Sequence, residues 1–237
     1  MIGLARKSLI AAAICAATAS QLLVAQSAFA AGGDFSLDFT AAAPLTYSHA
    51  TGGGFYNQRL VGVNKDIVES LEGGHFACGD TVTFLTQIRV DSAALGNQTI
   101  RLRFEFTAHA TGQQGIALID NVNGTSAAMN YFGDTGISDD GGSTATASAE
   151  GLSGPGPFIK FTTFFREVVV TDLEAGEKTV LRTDVMIACN GESPTGNMLA
   201  RLSSASTIVG AGGEAIPVGD QTIPFKRVGD VKTPPPK

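Results

Sequence analysis

Thr99-Ile100-Arg101-Leu102-Arg103-Phe104-Glu105-Phe106-Thr107-Ala108-His109-Ala110 alternates without a break between apolar and polar residues. Successive side chains of an extended chain point to opposite faces. Ile100, Leu102, Phe104, Phe106, Ala108 and Ala110 therefore share one side, and Thr99, Arg101, Arg103, Glu105, Thr107 and His109 share the other. A helix would mix the two sets at every turn, whereas a β-strand with one face in a core and the other in water keeps them apart. Thr81–Val90 follows the same rule, with Val82, Phe84, Ile88 and Val90 inward and Thr81, Thr83, Gln87 and Arg89 outward. Lys178–Cys189 places Leu181, Val185, Ile187 and Cys189 on one face, and Cys78 has the inward parity of the strand that follows it.

Weaker strand patterns lie around these three. They cover Asp34–Thr40, Gly54–Val63, Gly115–Val122, Phe158–Thr171 and the C-terminal pieces Ile208–Val209, Ala215–Val218 and Thr222–Val228. Glu72-Gly73-Gly74, Asn123-Gly124, Glu174-Ala175-Gly176 and Gly210-Ala211-Gly212-Gly213 mark turns between them. Asp66–Leu71 and Asn197–Ser206 read as short helices, and Gly133–Gly156, rich in Gly, Ser and Ala, as a long surface loop. The expectation is an all-β, antiparallel β-sandwich.

Arg6 and Lys7 precede an apolar, alanine-rich run from Leu9 to Ala19, too short to span a bilayer, and Ser27-Ala28-Phe29-Ala30 supplies small residues for cleavage before Ala31. Residues 1–30 are accordingly expected to be a cleaved signal peptide of bacterial style. Residues 31–231 then form a single sandwich domain, and residues 232–237, with Pro234, Pro235 and Pro236, an extended disordered tail. A lipoprotein signal built on Cys15 is disfavoured, because Ile14 stands where a small residue is wanted. No later stretch reaches the length of a transmembrane helix.

The mature chain carries 14 Lys+Arg against 22 Asp+Glu, a formal charge of −8, which argues against nucleic acid or an anionic membrane as partner. It keeps two cysteines, Cys78 and Cys189. An exported pair in an oxidising compartment is expected to form one internal disulfide, across a separation of 111 residues. The chain-entropy model values such a loop at roughly 4 to 5 kcal/mol before strain. A metal site is the alternative, and two isolated cysteines without a nearby histidine do not favour it.

Gly79-Asp80-Thr81-Val82-Thr83-Phe84-Leu85-Thr86-Gln87-Ile88-Arg89-Val90 and Leu173-Glu174-Ala175-Gly176-Glu177-Lys178-Thr179-Val180-Leu181-Arg182-Thr183-Asp184-Val185 resemble strand pairs of the Ig-like modules of bacterial surface proteins, through a G-D-x-V strand start and an L-x-x-G-E turn into a strand. The resemblance implies an Ig-like or jelly-roll-like sandwich in an extracellular setting, and no site. The domain is about twice the size of such modules.

Chemistry is sparse. Serine catalysis needs a positioned histidine, and only His49, His75 and His109 are present, with no G-x-S-x-G elbow. Gly210-Ala211-Gly212-Gly213-Glu214-Ala215 matches a dinucleotide fingerprint in letters, but Pro217 follows it and no βαβ unit surrounds it. No other catalytic motif stands out. Asp134, Asp139 and Asp140, set among glycines, are the candidate ligands of a calcium loop, since Ca²⁺ accepts carboxylate and carbonyl oxygens from a flexible turn. Surface turns are also made of Asp and Gly.

The function expected from these features is a non-enzymatic structural or adhesive protein, secreted to a bacterial cell surface, matrix or fibre, with the periplasm as the other fitting compartment. Its partners would be further copies of itself, in an oligomer or polymer, or a surface glycan or protein. The alternating segment within residues 31–44 could add a strand to a neighbouring sheet, or pair within its own domain. A secreted carbohydrate-binding module is the second reading, weakened by the absence of Trp and by a supply of only Tyr47, Tyr56 and Tyr131 for stacking. A secreted hydrolase is the third.

Overall fold

The computed structural model describes residues 32–44, 67–94, 96–110, 129–133, 143–153, 161–187, 197–209, 213–219 and 221–232. The described residues form twelve strands and three short 3₁₀ turns, with no α-helix among them. One sheet has the order β2-β1-β4-β9-β6, formed by Ile67–Val68, Phe35–Ala42, Thr81–Val90, Lys178–Met186 and Met129–Gly133. The other runs β3-β12-β10-β5-β8-β7, formed by Leu71–Glu72, Thr222–Lys226, Met198–Thr207, Gln98–Ala110, Phe161–Leu173 and Thr144–Ser153, and β11 (Ala215–Ile216) pairs with β10. All pairings are antiparallel except that of β3 with β12.

The alternation in the sequence explains why the sheets face each other. Phe39 and Phe84 on the first sheet stack at 5.4 Å, and they meet Phe104 at 5.7 Å and Phe106 at 5.4 Å on the second. Ile100, Leu102, Phe104, Phe106, Val168, Val170, Phe84 and Ile88 are fully or almost fully buried in this single apolar layer. Burying a side chain of this kind stabilises the fold by about 1.5–3 kcal/mol relative to leaving it exposed.

The first sheet is covered on its other side too. Leu85, Ala42, Ile67 and Val180 form a second, smaller apolar cluster on the face turned away from the main core. Thr83 and Gln87, expected in water, are buried beside it. Strict polar alternation therefore misassigned these two, because an apolar Leu85 between them draws cover over that face as well.

Four expectations are corrected. Asn197–Ser206 is not a helix but most of strand β10, whose buried positions run Met198, Ala200, Leu202, then Ala205 and Thr207. A bulge between Leu202 and Ser204 shifts the parity by one, so a strand period acquires helix-like spacing. The described part of Asp66–Leu71 is likewise extended, giving β2 and the start of β3. Within the expected loop Gly133–Gly156, Thr144–Ser153 forms the ten-residue edge strand β7, paired with β8. Met129–Gly133 adds β6, which no sequence pattern marked. Lys232, placed at the start of the tail, pairs with Ala77 and both donates to Phe76 O and accepts from Cys78 N at 3.0 Å. The strands expected at Gly54–Val63 and Gly115–Val122 lie outside the described residues.

Candidate functional site

The outer face of the second sheet carries a network of paired charges. Arg103, Glu105 and Arg201 face outward from β5 and β10 because their neighbours in sequence, Leu102, Phe104, Ala200 and Leu202, are the ones drawn into the core. Arg103 contacts Glu105 at 3.2 Å and Glu167 of β8 at 3.0 Å, while Arg201 reaches the second Glu105 oxygen at 2.8 Å. The Arg103 guanidinium also lies 4.0 Å above the Phe165 ring. Phe165 in turn packs against Gly151 of β7, where a Cβ would stand 3.2 Å from the ring. Two arginines thus hold two glutamates in a flat network. Their charges are spent on each other, and the carboxylates accept charge-assisted hydrogen bonds from the guanidinium groups.

Among the described residues an ion pair sits at the inward face of the second sheet. Arg166 occupies the inward parity of β8 between Phe164 and Val168, pairs across the ladder with Phe104, and is 5% exposed. Glu150 of β7, directly opposite on the other side, meets its guanidinium. Burial pushes the Arg166 guanidinium below its ordinary range, and the Glu150 carboxylate acts in the opposite direction. An arginine at an apolar parity, in Phe164-x-Arg166-x-Val168-x-Val170, is the sequence signal for the basic half of the pair alone.

Two further polar side chains act as joints. Glu177, 2% exposed at the β8–β9 turn, accepts from the Glu174 amide at 2.6 Å and from the Ser143 hydroxyl at the start of β7. Gln221, just before β12, accepts from Phe39 N and donates to Leu37 O, each at 2.6 Å. Its amide thereby copies a strand's peptide along β1 and ties the two sheets together. β1 itself pairs with β4 from Phe35 to Ala41 within its own chain.

An open polar cleft of about 260 Å³ lies where Ala42–Pro44 leave β1, beside His75, Phe76, Asp80, Thr81 and Thr83. His75 is exposed in a 3₁₀ turn, and Asp80 is committed to the Ala77 amide at 2.7 Å. His109 sits in β5 opposite Thr162, remote in the ladder from that turn, and His49 lies outside the described residues. Gly213 abuts the Thr207 carbonyl and Ala215 enters β11, so the described part of the apparent dinucleotide fingerprint is a tight strand connection.

Asp134, Asp139 and Asp140 lie outside the described residues, as does Cys189. Among the described residues no cluster of three His, Cys, Asp or Glu side chains has a metal-holding arrangement. Cys78 is half-buried just before β4, and its neighbours meet the end of β9: Gly79 N donates to Ile187 O and Ile187 N to Asp80 O, both at 2.9 Å. This register brings Cys78 beside the backbone two residues ahead of Cys189.

Fold and site together define a two-sheet, all-β module whose polar groups chiefly join strands. No family model matches the chain, and no curated protein matches it. Among solved structures, a cohesin module from a Clostridium perfringens family 33 glycoside hydrolase is similar over 70% of this chain and 93% of its own, with 12% identity and a TM-score of 0.37. A family 123 glycoside hydrolase from Clostridium perfringens matches over 81% of this chain and 27% of its own, with 9% identity and a TM-score of 0.28. At these scores the likenesses assign neither a family nor a function. No helix among the described residues is long and apolar enough to cross a membrane.

Proposed function

We propose that this protein is a non-enzymatic module exported to a bacterial cell surface or extracellular matrix, where it works as a structural or adhesive element. The observation that carries the reading is the outer face of the second sheet, on which Arg103, Glu105, Glu167 and Arg201 neutralise one another. Such a face offers a rigid surface in place of a reactive constellation. The leader-like residues 1–30 supply the route out of the cell, and Cys78 and Cys189 join into a disulfide that fastens the start of β4 to the end of β9. Epitope-tagged full-length protein, fractionated from its producing cells, is expected at the surface or in the medium and shortened by the leader. Full-length protein confined to the cytoplasm overturns the reading. Mass spectrometry of the exported form under non-reducing conditions is expected to show a chain lighter by two hydrogens than its reduced form, and two free thiols remove the disulfide from the proposal.

A further inference from the structure

We infer that β7 is a docking edge for a second copy of this chain, the two β7 strands pairing antiparallel across a two-fold axis to continue the second sheet from one molecule into the next. The inference rests on the reading of the protein as a structural module and names the surface through which it would join another. A sheet edge presents a row of unpaired backbone donors and acceptors, and folded proteins usually blunt it with lysine, proline, short length or a covering element. β7 has ten residues, pairs on one side only with β8, and contains neither lysine nor proline. Thr144, Thr146, Ala147, Ser148, Ala149 and Glu150 are all exposed.

Other edges among the described residues are shorter or guarded. β2 and β3 have two residues each and β6 five, while the Leu37–Phe39 backbone of β1 is capped by the Gln221 amide. Among the described residues β7 carries a single bulge, between Ala147 and Ala149, and β6 of the other sheet approaches it without joining its ladder.

The choice of a second copy follows from charge and size. Glu150 is the strand's one ionisable residue, and its carboxylate is drawn onto the inward-facing Arg166. A strand with one charge sets like directly against like only when the axis passes through that residue. The side chains from Thr144 to Ala149 are small and leave the backbones room to approach. A two-fold contact of this kind is self-complementary and closes at a dimer.

Sedimentation velocity of the mature protein, residues 31–237, over a range of concentrations is the test. The wild type is expected to show a concentration-dependent dimer. The double variant Thr146→Lys/Ala149→Lys places lysines along both edges and is expected to weaken association by about tenfold or more. The counterpart Thr146→Glu/Ala149→Glu is expected to do the same alone, and an equimolar mixture of the two variants to recover the dimer. Recovery on mixing requires both variants to be folded, so it separates a blocked edge from a damaged domain. A wild type that stays monomeric throughout, a lysine variant that associates like the wild type, or a mixture that does not recover the dimer each overturns the inference. None of these outcomes bears on export, which the cell fractionation decides separately.

Discussion

Replacing Glu150 by glutamine should destabilise the fold more than removing its partner, although both substitutions delete the same ion pair. Arg166 is 5% exposed and flanked by Phe164, Val168 and the opposing Phe104, so its cation depends on Glu150 for compensation. Leaving a buried charge without its partner costs about 3–5 kcal/mol, while exchanging a buried pair for well-packed apolar groups is often neutral or stabilising. The Glu150 side chain is 41% exposed, and water reaching the gap screens part of the loss. The expected cost of Glu150→Gln is therefore about 2 kcal/mol, equivalent to a fall in Tm of about 4–8 °C for a chain of this size. Arg166→Met keeps a long, flexible side chain among the same neighbours and removes the cation, for a change within about 1 kcal/mol of zero. In the Arg166→Met background, Glu150→Gln should then cost almost nothing. Urea denaturation of the four proteins of this cycle, followed by circular dichroism at neutral pH, measures all the terms. Equal losses for the two single variants, or an undiminished Glu150→Gln loss in the Arg166→Met background, would refute the argument that an uncompensated cation is the cause.

Gln221→Ala should cost about 1–2 kcal/mol by deleting two hydrogen bonds to β1, and hydrogen exchange should accelerate at the Phe39 amide ahead of the rest of the strand. Gly73→Ala should cost about 1–3 kcal/mol in thermal denaturation, because a Cβ there collides with the Arg227 carbonyl where the Gly73–His75 and Val228–Asp230 turns pack. Thr183→Val should raise stability by about 1 kcal/mol in urea denaturation, since the Thr183 hydroxyl is buried without a hydrogen-bond partner and a methyl group of similar size needs none.

The parts of the fold legible in the sequence are those where one strand face meets a core and the other does not. Thr81–Val90 emerges with the expected ends, and Thr99–Ala110 is longer by only one residue. The failures have equally local causes. In β10 the bulge at Ser203 sets the buried Leu202 and Ala205 three positions apart, a step that a helix would also give, and the strand's Met, Leu, Ala and Arg favour that reading. The Arg166–Glu150 pair was hidden because its two halves lie on different strands, one of them taken for a loop. Its acidic half follows the bulge between Ala147 and Ala149, which breaks the alternation that would mark its parity. Glu177 looked like part of a turn, yet its burial depends on Ser143, more than thirty positions away. Such residues gain their roles from pairing, which no single segment records.

The same consideration explains why β7 escaped notice and why its edge is open. Strands buried on one face reveal themselves through apolar alternation, and guarded edges through lysine or proline. Thr144-Ala145-Thr146-Ala147-Ser148-Ala149 alternates only small residues, too weakly apolar to mark a core face, carries no lysine or proline, and borrows its extended shape from the ladder with Val168, Val169 and Val170 of β8. A strand whose conformation comes from one neighbour, and whose sequence carries nothing against another, has no chemical means of telling its own sheet from an identical one. Adding charge at Thr146 and Ala149 would make the strand harder to dock against and leave its pairing with β8 in place, since both side chains already stand in solvent.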